Sequence, residues 1–156
     1  MELVVNEWLP EALKPEGLDK EISQEDALEF LKKFIDKGDK IVVKSESAFE
    51  KKAHFYKKIY AYDKASLELL KALLRLIQDE KYCRIIEESE INTLPKRITE
   101  KLNLPNTNYH SDTYLFESAS TTKEKIIVTS DRKLIQLFQE EEEYRVIHFD
   151  EFMSTY

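Results

Sequence analysis

The sequence is poor in residues that loosen or staple a chain, with two glycines, four prolines and one cysteine among 156 residues. The lone Cys83 excludes an intramolecular disulfide and a cysteine-based zinc site, and it fits a reducing compartment. Its simplest role is that of a small core hydrophobe. So little glycine leaves no loop to cradle phosphates, which disfavours a nucleotide-binding α/β domain. No Ser-His-Asp order or nucleophilic-cysteine motif is present either. No apolar run approaches the ~20 residues that span a bilayer, and no charged segment leads into an apolar one as in a secretory leader. The expectation is a soluble, cytoplasmic protein without a membrane partner. Positive charge is also in deficit: the net charge is -7 and the pI about 5.1, against a bulk electrostatic grip on nucleic acid. A nuclease is still allowed, because carboxylates that hold dications invert the local charge once the ions bind.

What is there reads as globular. Hydrophobic residues make up 42% and charged residues 35%, enough apolar surface for one core, and the length suits a single domain over residues 1–156. Leu3 to Val5 reads as a buried strand ending at Asn6, and Pro10, Pro15 and Gly17 read as a loop. Ser23 caps a helix to about Phe34 or Asp36. Ile41 to Val43 is a second strand, after which Ser45 caps a helix with Phe49, Ala53, Tyr56, Ile59 and Tyr60 on one face. Leu67 to Ile77 is strongly helical, and Tyr82 to Ile86 is a candidate strand that periodicity alone does not separate from a helix end. Thr93 and Pro95 open a helix to about Leu102, and Ser111 caps one from Asp112 to about Ser120. Lys125 to Thr129 is the clearest strand. Arg132 to Glu140 follows as a helix, then Tyr144 to His148 as a last strand before a terminal helix. Strands alternating with helices imply an α/β fold, three layers α/β/α, with a mostly parallel central sheet of four to five strands joined by right-handed crossovers.

In such a sheet ligands bind beyond the carboxyl ends of the strands, where strand order reverses. Asn6 and Asp131 occupy such ends, and they converge if their strands are neighbours. Asp112 sits in a first helical turn, where the helix dipole favours a charged carboxylate. Glu50 and Glu46 lie one turn apart on the helix after the second strand. Oxygen donors without His or Cys partners suit Mg²⁺ or Mn²⁺ rather than zinc, and such ions support phosphodiester hydrolysis. Ser111 to Ala119, then Ile126 to Asp131 and Leu134, resemble the third and fourth acidic motifs of PIN-domain ribonucleases. In that family an Asp opens a helix, an Ala follows seven residues later, and a strand leads into a Thr-x-Asp turn. Asp112, Ala119, Thr129 and Asp131 match in order. The resemblance carries a glutamate role to Glu50, and it places Asn6 where the family has aspartate. An amide oxygen still coordinates a metal but removes one negative charge, which leaves Glu7 or Glu46 as candidates to complete the site.

The resemblance implies a metal-dependent endoribonuclease, a toxin or RNA-processing enzyme, with Glu50, Asp112 and Asp131 as catalytic acids. Asn6, Glu50, Asp112 and Asp131 would be the ligands of Mg²⁺ or Mn²⁺. Thr129, Ser130, Arg132, Lys133, Lys51 and Lys52 are the candidates to contact RNA. An inhibitory protein and a second copy of the chain are further candidate partners. The competing reading is a degenerate PIN-like module that binds protein or RNA without cleavage. Each residue also has a plainer account: Asp131 as a helix cap, Asp112 as a first-turn acid, Glu50 on a solvated face, Asn6 as a turn residue. Lys51, Lys52, Lys57 and Lys58, with Tyr56 and Tyr60, fit either an RNA contact or a solvated helix face. Glu140 to Glu143 reads as a frayed helix end or a lure for a basic partner. Trp8 reads as a core or rim aromatic. His54, His110 and His148 are too scattered for a metal site.

Overall fold

A computed structural model describes residues 1–156. Five strands, β1 (Glu2–Val5), β2 (Lys40–Lys44), β3 (Cys83–Ile86), β4 (Ile126–Thr129) and β5 (Arg145–His148), form one all-parallel sheet in the order β3-β2-β1-β4-β5. Helices flank it: α1 (Trp8–Ala12), α2 (Gln24–Lys37), α3 (Ala48–Ile59), α4 (Lys64–Gln78), α5 (Lys96–Leu102), α6 (Thr113–Ser120), α7 (Arg132–Leu137) and α8 (Phe149–Thr155). The alternation seen in the sequence is therefore the three-layer α/β/α arrangement it implied. β1, β2 and β4 are nearly all buried, as expected of strands covered on both faces.

Two aromatic clusters help to join helices to sheet. Trp8, Phe30, Phe34, Phe149 and Phe152 make one, with the Trp8 and Phe149 ring centroids 4.6 Å apart. Phe116, Phe138 and Tyr144 make the other, with Phe116 and Phe138 4.4 Å apart. Cys83 is buried, and burial pushes its thiol up to about 12, so it packs as a hydrophobe.

Four local readings change. Residues after Asn6 fold into α1 rather than a loop. Pro10 sits in its first turn, where proline costs no hydrogen bond, and Trp8, Leu9, Ala12 and Leu13 bury one side. Ser47 rather than Ser45 occupies the N-cap of α3. Residues Tyr109–Asp112 form a 3-10 turn, so α6 begins at Thr113 and Asp112 is its N-cap residue; Ser111 instead donates to the Asn108 carbonyl at 2.7 Å. Glu141 and Glu143 are not a frayed end either, because both clamp Arg97 and Glu143 also pairs with Lys125. No helix is long and apolar enough to cross a membrane.

Candidate functional site

β1 and β4 are direct neighbours, with Leu3, Val4 and Val5 beside Ile126, Ile127 and Val128. The sheet builds outward from this pair in both directions, so the crevice beyond Val5 and Thr129 is the point where strand order reverses. Asn6 leaves β1 there and its amide N–H reaches the Val128 carbonyl at 3.3 Å. The residue is 8% exposed and both ends of its side-chain amide are engaged: Nδ2 donates to Thr129 Oγ1 at 2.7 Å, and Oδ1 accepts from the Trp8 N–H at 3.3 Å. Thr129 Oγ1 in turn accepts from the Asp131 N–H at 3.0 Å. Trp8 closes the floor by donating Nε1 to the Val128 carbonyl at 3.0 Å.

Above this floor lies a cavity of about 480 Å³ whose lining includes Asn6, Glu7, Glu11, Lys52, Asp112 and Asp131. The Asp131 carboxylate caps α7, its Oδ1 accepting from the Lys133 and Leu134 N–H groups at 2.9 and 3.0 Å. Asp112 caps nothing. Burial, then the charges of Glu7 and Asp131, push its carboxyl up to about 7, and Lys52 only partly offsets them. Glu7 is held from the other side by the Tyr114 hydroxyl, which donates to Oε2 at 2.8 Å. Burial and that same carboxylate push the Tyr114 phenol well above its ordinary range. Glu11 accepts from Lys52 Nζ at 2.6 Å, and Tyr56 donates to it at 3.4 Å.

The structure thus gathers Asn6, Asp112 and Asp131, together with Lys52, Ser130 and Lys133, around one cavity. Thr129 lies beneath it, wholly buried, and acts as a bridge between Asn6 and Asp131. Glu50 does not join them. Its carboxylate folds back to accept from the Glu46 N–H at 3.0 Å, fastening a turn in which Glu46 holds a positive φ of 56°. Glu46 is equally absent from the lining, so Glu7 is the acid that joins Asp112 and Asp131. Arg132 points away toward Glu21 and Asp150, at 4.0 and 3.9 Å, and Lys51 lies outside the cavity. His148 caps α8 and sits 3.5 Å from Glu21.

Glu11 and the Asn106 to Asn108 rim are lining groups that the sequence reading missed. The apolar spacing of Trp8 with Ala12 and Leu9 with Leu13 was the available signal for α1, which carries Glu11 to the cavity. Compared with models of known protein families, with curated proteins and with solved structures, the chain finds no match.

The donor set is all oxygen, which suits a hard cation, and burial first, then the Glu7 and Asp131 charges, oppose ionisation of Asp112. No three acidic, imidazole or thiol groups meet closely enough to grip one ion by themselves. Mg²⁺ needs less, since it keeps several waters and takes one or two carboxylates plus substrate oxygens. Asp112 and Asp131 supply two carboxylates to this cavity, and Glu7 lines it with them. Asn6→Asp would add a fifth acid to the lining and remove the donor that Thr129 now receives. The metal-free variant is expected to lose about 1–3 kcal/mol. Millimolar Mg²⁺ should recover more of that loss than the same addition gives wild type. Thermal unfolding with and without Mg²⁺ checks this, and an unchanged midpoint would show that Asn6 bears no electrostatic load.

Proposed function

We propose that this protein is a metal-dependent endoribonuclease that hydrolyses RNA phosphodiester bonds in the cavity between β1 and β4. The observation that carries the reading is that Glu7, Asp112 and Asp131, from three separate stretches of chain, line one cavity at the reversal point of a parallel sheet. A structural role alone gives no reason to bury one acid beside two others until it is held near neutrality. The PIN-like order of Asp112, Ala119, Thr129 and Asp131 supports the same reading.

Asp112 and Asp131 would hold Mg²⁺ or Mn²⁺, with Glu7 in support. The chemistry such an ion supplies when bound is a more acidic water and relief of charge on a phosphoryl oxygen. The chain's own groups do the rest. Asp131 is fixed by two backbone donors, so its position is set before any substrate arrives. Tyr114 aims Glu7, and the Asn6–Thr129 bond locks the two strand ends together. Lys52 and Lys133 supply cations at the cavity wall for phosphate oxygens of the chain to be cut.

Incubation of a mixed RNA pool with Mg²⁺ or Mn²⁺ is expected to give internal cuts that a chelator stops. The engagement of the Asn6 side chain with the Trp8 backbone N–H and with Thr129 favours a second reading, a PIN-like module that binds without cutting. Intact RNA in the presence of folded, Mg²⁺-loaded protein would select it.

A further inference from the structure

The outer side of α3 carries a cationic surface that the acidic cavity does not use. At about 100° per residue, Phe49, Ala53 and Tyr56 share one side of this helix, and all three are buried. Lys52 and Lys57 then fall on its two flanks, with Lys51, His54, Phe55 and Lys58 facing outward between them. Lys52 lines the acidic cavity. On the opposite flank Lys57 opens a second cavity of about 180 Å³ against α4, lined by His54, Lys57, Lys71, Leu74, Arg75 and Gln78. No carboxylate lines it, although the chain has 31 acids against 24 lysines and arginines. Of Lys57, Lys71 and Arg75 only Lys71 has an acidic partner, Glu68 at 3.2 Å. Between the two cavities stands Phe55, 55% exposed, whereas Tyr56 is buried and turned to Glu11.

We propose that the outer face of α3 and the Lys57–Lys71–Arg75 cavity bind the phosphodiester backbone of a single-stranded RNA whose adjoining segment enters the acidic cavity. Only the destination of that segment rests on the nuclease reading. A flat exposed ring among cations is the arrangement that stacks an unpaired base while phosphates follow the charge. A duplex keeps its base faces stacked inside and offers none to Phe55. The strand must also cross a helix about 10 Å wide with its side chains, so the substrate is several nucleotides long.

The test is fluorescence anisotropy of a labelled twelve-nucleotide single-stranded RNA in chelator, so that nothing is cut. Lys57→Glu/Arg75→Glu is expected to weaken binding about tenfold or more. It should also flatten the slope of log affinity against log salt by about 1.4, roughly 0.7 for each phosphate that is no longer neutralised. Phe55→Ala should weaken binding by about fivefold to a hundredfold. Lys123→Glu/Arg145→Glu changes net charge equally but lies outside the track, and should stay within a few-fold of wild type. Absence of binding by wild type, or an equal loss in both double variants, overturns the track. If the wild type leaves RNA intact with Mg²⁺ while Lys57→Glu/Arg75→Glu loses binding, the nuclease reading falls and the track stands. If Asp112→Asn abolishes cutting while the double variant binds as wild type does, the track alone falls.

Discussion

Asp112→Asn is expected to lower metal-dependent RNA cleavage by about a thousandfold or more, while making the metal-free protein more stable. The two effects share one cause. The Asp112 carboxyl sits near 7 in the folded protein against an ordinary 3.8, because burial and then Glu7 and Asp131 oppose its ionisation. The folded state therefore binds this proton more tightly than the unfolded state. The stability it contributes is complete below about pH 4 and is lost as pH rises through 7. At pH 8 the charged carboxylate is a burden that asparagine does not carry. The full shift would correspond to about 4 kcal/mol, but the carboxyl is partly open to water, and screening reduces this to about 1–2 kcal/mol. That corresponds to a midpoint roughly 3–6 °C higher for the variant at pH 8, with the two proteins converging near pH 4. Millimolar Mg²⁺ should raise the wild-type midpoint and leave the variant's nearly unchanged, because only a ligand held by the native state stabilises it. Scanning calorimetry at pH 4, 6 and 8 with and without Mg²⁺ reads all of this. A variant less stable than wild type at pH 8 would show that Asp112 is a structural acid and that its surroundings do not oppose its charge.

Trp8→Ala carries the largest expected loss of stability. The indole is 2% exposed, contacts Phe30 and Phe149, and donates to the Val128 carbonyl at the sheet's reversal point. Truncation of so large a core side chain costs about 3–5 kcal/mol, or roughly 6–20 °C in midpoint for a chain of this size. Because Trp8 anchors α1, the variant should also release Glu7 and Glu11 and lose Mg²⁺ binding. Trp8→Phe separates packing from hydrogen bonding. It keeps most of the apolar contact and strips one donor from the Val128 carbonyl, which still accepts from the Asn6 N–H. Its cost should be about 1 kcal/mol. Urea unfolding followed by circular dichroism measures both, since neither variant retains the single tryptophan. Equal costs for Phe and Ala would place the indole's role in its hydrogen bond alone.

Much of this protein is legible from local pattern. Short β-branched runs alternating with amphipathic stretches define β1, β2, β4 and their helices, because strand burial and helix amphipathicity are written in the spacing of nearby residues. The placement of Asn6 and Asp131 at strand ends follows from the same pattern, as does the capping of α7 by Asp131. Pattern did not reveal α1, because prolines at 10 and 15 and a glycine at 17 signal a loop more loudly than one five-residue helix signals itself. The fate of the acids depended on more than pattern. In one dimension Glu50 is the acid that the resemblance selects and Glu7 only a candidate to complete the site, yet the first is spent on the turn at Glu46 and the second is swung into the cavity by α1 and aimed by Tyr114. Residue order alone dictates the α/β alternation and the supply of oxygen donors, which are local and compositional properties. Which of those donors share a cavity is settled in three dimensions, because it depends on β1 pairing with β4 across more than 120 residues of chain, a contact no local spacing encodes.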